Sequence, residues 1–182
     1  MPEILSNYSD DKYTNVGSLK ETDFEAVESL NPDLIIIGGR QAEDIDSFKE
    51  IAPTVNLAVD GQDYMNSFKT VVTDLGNLFD KQDEAKKAID EIEAKIAKVN
   101  KTVTEKGLTA SVVMANEGSI SAFSAKSRYG LIYNGLGFAE VDKNIDDSTH
   151  GQQVSFEYFL ENKSDYVFVV DRGAVTGKGE AA

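Results

Sequence analysis

The chain contains no cysteine, only three arginines and a single histidine. Because cysteine is absent, a disulfide framework, a thiolate metal site and a cysteine nucleophile are all excluded. This absence fits a secreted protein and a cytosolic one equally well. The sequence also lacks any apolar run of about 18 residues, so it predicts no membrane-spanning helix. Residues 1–4 do not have the pattern of a signal peptide.

The charge is strongly acidic, with 18 basic against 32 acidic residues and a net charge of -14. An excess of this size argues against a nucleic-acid partner and against an anionic membrane surface. A hydrophobic content of 41% with charges of both signs indicates a globular protein. The length of 182 residues fits one large domain or two small ones.

The three arginines stand at unusual places, whereas most of the lysines lie in helix-like stretches of mixed charge. Each arginine lies beside glycines or at the end of an apolar run: Arg40, Arg128 and Arg172. The planar, permanently charged guanidinium group suits an anionic ligand better than a flexible ammonium group does. The pattern therefore indicates an anion site, and its alternative is a chance placement near turns.

Short helices and strands are predicted in the first third of the chain. Thr22 and Glu25 have the spacing of a capping box, with Thr22 as the cap. The apolar residues 34–37 predict a buried strand, which two glycines end. A helix over 42–50 and a strand over 54–59 follow.

Two longer helices are predicted next, over 64–79 and 81–105, with Asp80 as the cap of the second. The second helix has about 25 residues and so a length of about 37 Å. That length suits a strut between two packed units. The alternative is a surface helix on a single core.

The last third is predicted to be mainly β-structure. Residues 111–115 and 120–123 predict the two strands of a hairpin around Asn-Glu-Gly-Ser. A short helix is predicted over 129–136, Ser155 is predicted to cap a helix that ends at 160, and the apolar residues 165–170 predict a further strand.

A weak internal repeat links the first and last thirds. In both copies, phenylalanine is followed after nine residues by aspartate, and aspartate after seven by arginine, with an apolar strand between them. The copies are Phe24, Asp33 and Arg40, and Phe156, Asp165 and Arg172. Ligands of open α/β sheets gather at the carboxyl ends of strands. The repeat therefore predicts that two arginines face one cleft.

The remaining candidates give no positive signal for catalysis. His150 is the only histidine and can ligate iron, but one histidine cannot make a tight protein-only metal site. The serine-rich residues 119–127 lack a nucleophile elbow, and Gly177–Lys178 lacks the rest of a phosphate loop. Asp146 and Asp147, together with Asp142, could attract a cation, although a solvated loop explains them better. We therefore expect a protein that is not an enzyme.

Several motifs, taken together, resemble the siderophore-binding proteins of iron ABC importers, and most closely the branch for petrobactin- and enterobactin-like catecholates. The motifs are Asn15-Val-Gly-Ser18, Asn31-Pro-Asp-Leu-Ile-Ile-Ile-Gly-Gly-Arg40, Ser119-Ile-Ser-Ala-Phe123, Lys126-Ser-Arg128-Tyr-Gly130, Ser148-Thr-His150-Gly-Gln152 and Asp165-Tyr-Val-Phe-Val-Val-Asp-Arg172. The resemblance covers nearly the whole chain.

The resemblance implies an α/β fold of two lobes joined by a long strut helix, the class III arrangement of periplasmic binding proteins. It assigns residues 1–79 to the later part of the N-terminal lobe, 80–106 to the strut and 107–182 to most of the C-terminal lobe. Relatives carry a leader, an earlier strand and helix, and a longer C-terminal lobe. We therefore expect a truncated piece, incomplete at both ends, whose uncovered sheet edges favour self-association.

The resemblance also implies the function. An anionic ferric siderophore of the catecholate type would bind in the cleft between the lobes and pass to an ABC permease, with no intrinsic cofactor. The basic triad of the family falls on Arg40, Arg128 and Arg172, which would offset the three negative charges of a ferric tris-catecholate. His150 matches a histidine that ligates Fe(III) directly when the chelator supplies the other ligands. The tyrosine that partners this histidine in the family falls beyond the last residue.

Relatives of this kind are extracytoplasmic, either membrane-anchored lipoproteins or periplasmic proteins, and we expect the same of the full-length parent. Two alternatives stay open. The same fold could carry haem, a cobalamin or a hydroxamate chelate. A cytosolic α/β domain could instead bind a phosphorylated metabolite through the same arginines.

Overall fold

Helices alternate with strands along most of the chain, and the predicted α/β class is confirmed. The computed structural model describes residues 3–18, 20–146, 148 and 150–173. Contacts between residues divide the chain into two units, Met1–Val59 and Asp60–Ala182. No helix in the described ranges is both long enough and apolar enough to cross a membrane.

The first unit is built on two short parallel strands. Its elements are a 3₁₀ helix (Glu3–Ser9), α1 (Phe24–Ser29), β1 (Ile35–Ile37), a second 3₁₀ helix (Gly39–Asp44), α2 (Ile45–Ile51) and β2 (Thr54–Asn56). Strand β1 pairs with β2 in register from Ile35 opposite Thr54. The core lies between this sheet and the helices and consists of Val27, Ile35, Ile37, Phe48 and Ala52. The predicted helix over 42–50 is thus a 3₁₀ turn followed by an α-helix.

The second unit begins with two helices that pack on each other, α3 (Tyr64–Leu78) and α4 (Gln82–Lys106). Both were predicted to within about one residue, because the apolar residues of each recur at helical spacing over several turns. Helix α4 ends at Gly107, which adopts a left-handed conformation with φ 61°. Glycine takes this conformation without a steric penalty, so it ends the helix.

A five-stranded sheet follows in the second unit. Its elements are β3 (Thr109–Asn116), β4 (Ser119–Phe123), a π-helical turn (Leu131–Gly135), β5 (Ala139–Glu140), β6 (Gln152–Val154), α5 (Tyr158–Glu161) and β7 (Tyr166–Asp171). Strand β3 is central: β4 pairs with it antiparallel, while β5 and β7 pair with it parallel. Strand β6 pairs antiparallel with β4. The predicted hairpin is therefore the middle of this sheet.

The helix caps differ from those predicted. Asp23, not Thr22, caps α1, because its carboxylate accepts a hydrogen bond of 2.9 Å from the Ala26 amide. Thr22 is held instead in an isolated β-bridge with Gly17. Thr22 is thus engaged by the bridge, and the helix is capped one residue further along the chain.

Asp80 does not cap α4. It adopts φ 55°, in the left-handed region that a tight reversal between two helices requires. Lys81 holds the cap position, without a side-chain capping bond, and its amide donates to the Gly76 carbonyl at 2.7 Å. In place of a cap, the negative charges of Asp83 and Glu84 in the first turn stabilise the helix through its dipole.

The predicted cap at Ser155 and the helix over 129–136 are also corrected. Helix α5 begins at Tyr158, whose amide donates to the Ser155 backbone carbonyl, so Ser155 opens a turn and does not cap the helix. The segment near residue 131 forms one π-helical turn, in which the Leu136 amide donates to the Leu131 carbonyl.

Candidate functional site

Arg40 lies in the first unit, on the 3₁₀ helix that follows β1. The sequence Gly38-Gly39 turns the chain away from the sheet, and Gly39 sits close to Ala58, since an added Cβ would lie 3.5 Å from the Ala58 Cβ. Arg40 is exposed, and no hydrogen bond or ion pair with another described residue engages its side chain. Its guanidinium group is therefore available to an anionic ligand.

The first unit also contains an apolar cavity of about 490 Å³ against β1. The cavity reaches Gly38 and Gln41, on either side of Arg40 in sequence, but none of its lining residues is charged. An anionic ligand would lose its hydration there without gaining an opposite charge. The cavity is therefore not the anion site that the arginines predict.

Arg128 lies in the second unit, on a turn built by serines. The Ser127 hydroxyl donates to the Ser124 carbonyl at 2.7 Å and accepts from the Tyr129 amide at 3.2 Å. Both serines are buried, whereas Arg128 is exposed. The serine-rich stretch thus shapes the backbone that presents Arg128, which explains its composition without any catalytic role.

Two aromatic rings contact the Arg128 side chain. The guanidinium carbon Cζ lies 5.5 Å from the centroid of Phe123 and 5.5 Å from that of Tyr129. The two rings meet edge to face, with centroids 4.8 Å apart. A cation over an aromatic face within about 6 Å is attracted by the ring quadrupole. Phe123 is fully buried, so it gives Arg128 a fixed support.

His150 is exposed, and it precedes Gly151 in the turn that enters β6. The His150 amide donates to the Ser148 hydroxyl at 3.2 Å, and the Gly151 amide to the Ser148 carbonyl at 3.1 Å. Gly151 has φ 75°, and a Cβ added there would lie 2.8 Å from the Phe123 ring. The turn that carries His150 and the Arg128 side chain therefore contact the same ring.

Arg172 is exposed and follows the last residue of β7, as predicted. Asp171 pairs with Ala115 near the carboxyl end of β3, whereas Phe123 pairs with Val112. These two positions on β3 are about 10 Å apart along the strand. The Phe123 ring, with Arg128 and the His150 turn against it, thus stands beside the middle of β3, whereas Arg172 follows a residue that pairs near the carboxyl end of β3.

The described ranges contain no group of three or more histidine, aspartate or glutamate side chains placed to hold a metal ion. Asp147 lies outside the described residues, as do Gly177 and Lys178. Sequence reasoning missed Phe123, Tyr129 and Gly61 as parts of the site. A Cβ added at Gly61 would lie 3.0 Å from the Arg128 Cβ, so this glycine lets two backbone segments meet. Phe123 and Tyr129 stand in motifs that carry the family resemblance, whereas Gly61 lies 67 residues from Arg128 and has no signal in the sequence.

Comparison with known proteins gives a family and close relatives. Residues 4–181 match the family model described as periplasmic binding protein. The petrobactin-binding protein YclQ of Bacillus subtilis (strain 168) is 50% identical over 178 residues, which are 98% of this chain and 56% of the relative. The ferric-anguibactin-binding protein FatB of Vibrio anguillarum (strain ATCC 68554 / 775) is 32% identical over 180 residues, 96% of this chain and 56% of the relative. The chain thus spans just over half the length of these relatives.

Two solved structures with a similar fold are also those of siderophore-binding proteins. The crystal structure of the same Bacillus subtilis protein, YclQ, superposes with a TM-score of 0.87 and 49% identity, covering 99% of this chain and 63% of that one. The catecholate-siderophore binding protein VctP of Vibrio cholerae gives a TM-score of 0.90 and 34% identity, covering 100% of this chain and 65% of that one. The family resemblance and the class of fold predicted from the sequence are confirmed.

Proposed function

Since the chain belongs to the periplasmic binding protein family, we propose that it binds an anionic ferric siderophore of the catecholate type. The relatives YclQ and VctP are named for petrobactin and for catecholate siderophores. We propose that Arg40, Arg128 and Arg172 contact the ligand, each through a charge-assisted hydrogen bond. The protein then acts by binding and carries no catalytic step.

The observation that supports this proposal most is the support of Arg128 by Phe123 and Tyr129. An arginine whose guanidinium group already rests on two rings has less side-chain freedom before the ligand arrives, so less side-chain entropy is lost on binding. Charge-assisted hydrogen bonds contribute about 1.5–3 kcal/mol each. Three such contacts match the three negative charges of a ferric tris-catecholate in an otherwise acidic protein.

Fluorescence titration tests the proposal directly. The chain has seven tyrosines and no tryptophan, so its intrinsic emission comes from tyrosine. We expect saturable quenching by a ferric tris-catecholate prepared from Fe(III) and catechol. Replacing Arg128 by alanine is expected to weaken binding about 10- to 100-fold, the factor that corresponds to one charge-assisted bond. Lys126→Ala, on the same turn, is the control and should keep the affinity. An unchanged affinity in Arg128→Ala would refute the proposal.

Competition experiments distinguish a catecholate ligand from the alternative ligands. Haem, cobalamin and ferric hydroxamate chelates are offered in the same titration, together with a phosphorylated metabolite such as glucose 6-phosphate. A cargo without anionic groups should not depend on the arginines, because their contribution is electrostatic. Binding that survives substitution of all three arginines would therefore indicate a different cargo.

We propose the remaining features of the protein from its family. The full-length parent is an extracytoplasmic protein, membrane-anchored as a lipoprotein or periplasmic, and it delivers its ligand to an ABC permease. Residues 1–79 belong to the N-terminal lobe, 80–106 to a strut helix and 107–182 to the C-terminal lobe. Transport of radioactive iron by cells that express the parent with or without its permease tests the delivery step. Sedimentation velocity tests whether this chain self-associates.

A further inference from the structure

Phe123 is contacted from two directions by segments that carry candidate ligand-binding residues. Its ring lies under the Arg128 guanidinium, with Cζ 5.5 Å from the centroid. The Gly151 backbone lies against the Cζ and Cε2 edge of the same ring, where an added Cβ would come within 2.8 and 2.9 Å. Phe123 is only 1% exposed. A ring that is this well enclosed cannot move away from one neighbour without disturbing the other.

The position of the ring is itself fixed by the sheet. Phe123 is the last residue of β4 and pairs with Val112 of β3. Its backbone carbonyl accepts a hydrogen bond of 3.1 Å from the Tyr133 hydroxyl. The ring therefore stands on a rigid element, while Arg128 and His150 stand on the turns that follow β4 and precede β6.

We propose that Phe123 is a positioning residue that sets the direction of Arg128 and the placement of the His150 turn together. This inference rests on the proposed function for its biological meaning, since it specifies how one site orients an anionic ferric chelate. Tyr129 contacts the Arg128 guanidinium group and meets the Phe123 ring edge to face, whereas the atoms nearest to a Cβ added at Gly151 belong to Ala122 and Phe123. Phe123 does not touch the ligand; it acts through the two segments that do.

The proposal predicts distinct effects for the two rings. Removing the Phe123 ring changes the surroundings of both Arg128 and His150. Removing the Tyr129 ring changes those of Arg128 and leaves His150 unaltered, whereas Tyr129→Phe, which keeps the ring, restores the original surroundings. Phe168→Leu is the matched control, because Phe168 also pairs with Val112, on the other side of β3, and packs against the same core.

Nuclear magnetic resonance of the ligand-free protein makes this test simple. Three arginines give three Nε–Hε cross-peaks, and Arg128→Lys identifies that of Arg128; the single histidine gives one set of imidazole signals. Ring currents shift protons that lie over an aromatic face. In Phe123→Leu we expect the Arg128 cross-peak and the His150 signals to move together. In Tyr129→Leu we expect only the Arg128 cross-peak to move. In Phe168→Leu we expect neither set of signals to move. Phe123→Met takes the place of Phe123→Leu if the latter does not fold.

The ligand measurement is a second readout. We expect Phe123→Leu and Tyr129→Leu each to weaken binding of the ferric tris-catecholate about two- to fivefold, the factor that corresponds to one cation–π contact, and Tyr129→Phe to keep the affinity. Signals of Arg128 and His150 that stay in place without the Phe123 ring, or that move equally in Phe168→Leu, would overturn the inference. Absence of binding by the wild-type chain would instead refute the proposed function, and the spectra would still decide the role of Phe123.

Discussion

Asp165 and Thr109, which are 56 residues apart in sequence, join the starts of β7 and β3 through three hydrogen bonds. The Asp165 carboxylate accepts from the Thr109 amide at 2.9 Å and from the Thr109 hydroxyl at 2.8 Å. The Thr109 hydroxyl in turn accepts from the Asp165 amide at 3.0 Å. These bonds hold the start of β7 beside the start of β3. The strand that delivers Arg172 is thereby fixed in register.

We predict that Asp165→Ala lowers the melting temperature near neutral pH. The hydrogen bonds from the Thr109 backbone and hydroxyl hold the pKa of the Asp165 carboxyl below its ordinary value of 3.8. A depressed folded-state pKa contributes stability that is complete above the unfolded-state value and is lost as the pH falls through the folded-state value. The difference between wild type and variant should therefore shrink below about pH 3.8, in melts followed by circular dichroism.

Asp33→Ala is the matched control for this prediction. Asp33 occupies the equivalent place in the first copy of the repeat, but it is exposed, and no hydrogen bond of its side chain to another described residue is present. We expect little change in its melting temperature. A difference for Asp165→Ala that is as large at pH 3 as at pH 7 would contradict the role given to the carboxylate.

Tyr133→Phe is predicted to destabilise the second unit by about 1–3 kcal/mol. The Tyr133 hydroxyl donates to the Phe123 carbonyl and accepts from the Val112 amide, both at 3.1 Å, and so bridges one residue pair of the β3–β4 ladder. Removing it leaves two backbone groups without this partner. Urea denaturation measures the loss, with Tyr64→Phe, at an exposed ring, as the control.

We also predict that the Tyr133 hydroxyl makes the free energy of unfolding depend on pH. Burial raises the pKa of Tyr133 to about 12, against an ordinary value of 10.0. Above pH 10 the unfolded chain releases this proton before the folded chain does, so stability falls as the pH rises from 10 to 12. Because Tyr133→Phe has no hydroxyl at this position, its stability should fall less over this pH range. Equal slopes of unfolding free energy against pH in wild type and variant would contradict the assignment.

The sequence predicted those elements whose pattern is local. Helices α3 and α4 repeat apolar residues over many turns, and the β3–β4 hairpin encloses a recognisable turn with Glu117 and Gly118 at positive φ. The caps were predicted wrongly, because the conformation of the adjacent backbone decided them. Thr22 forms a β-bridge with Gly17, and Asp80 adopts the left-handed conformation of the turn between two helices.

The internal repeat predicted the order of helix, strand and arginine in both copies, and this order is present. The surroundings of the equivalent residues nevertheless differ. The Phe24 ring packs 4.9 Å from Phe48, whereas Phe156 is 71% exposed. Asp165 ties two strands together, while Asp33 does not. A repeat in sequence fixes the local path of the chain but not which residues of the rest of the fold come to meet it.

The candidate site was predicted only in part, for a physical reason. The arginines could be selected because a charged, planar group beside glycines or at the end of an apolar run is conspicuous. Phe123 could not, because its place in an alternating strand looks like that of any core residue. The closeness of Gly151 to its ring depends on the pairing of β6 with β4, which the sequence does not encode locally.

We predict that Gly151→Ala destabilises the second unit more than a matched glycine substitution does. Its φ of 75° costs a residue with a Cβ about 1–2 kcal/mol, and the new methyl group would also meet the Ala122 carbonyl and the Phe123 ring within 3 Å. Gly118→Ala is the control, because φ is 78° there and nothing lies within 4 Å of an added Cβ. Denaturation of both variants isolates the clash; equal losses would mean that the His150 turn moves freely away from Phe123.

His150 is predicted to matter only for chelates that leave iron incompletely coordinated. A ferric bis-catecholate offers two open coordination positions, and a neutral imidazole nitrogen is a suitable ligand for one of them. His150→Ala should therefore weaken binding of the bis-catecholate and change its charge-transfer absorption band. In the tris-catecholate, three bidentate catecholates fill all six coordination positions of the iron, so its affinity should be unchanged in the same variant. His150→Gln, which keeps a polar side chain without an imidazole, should behave like the alanine variant. Equal losses for the two chelates would assign His150 a general contact with the ligand and exclude direct ligation of iron.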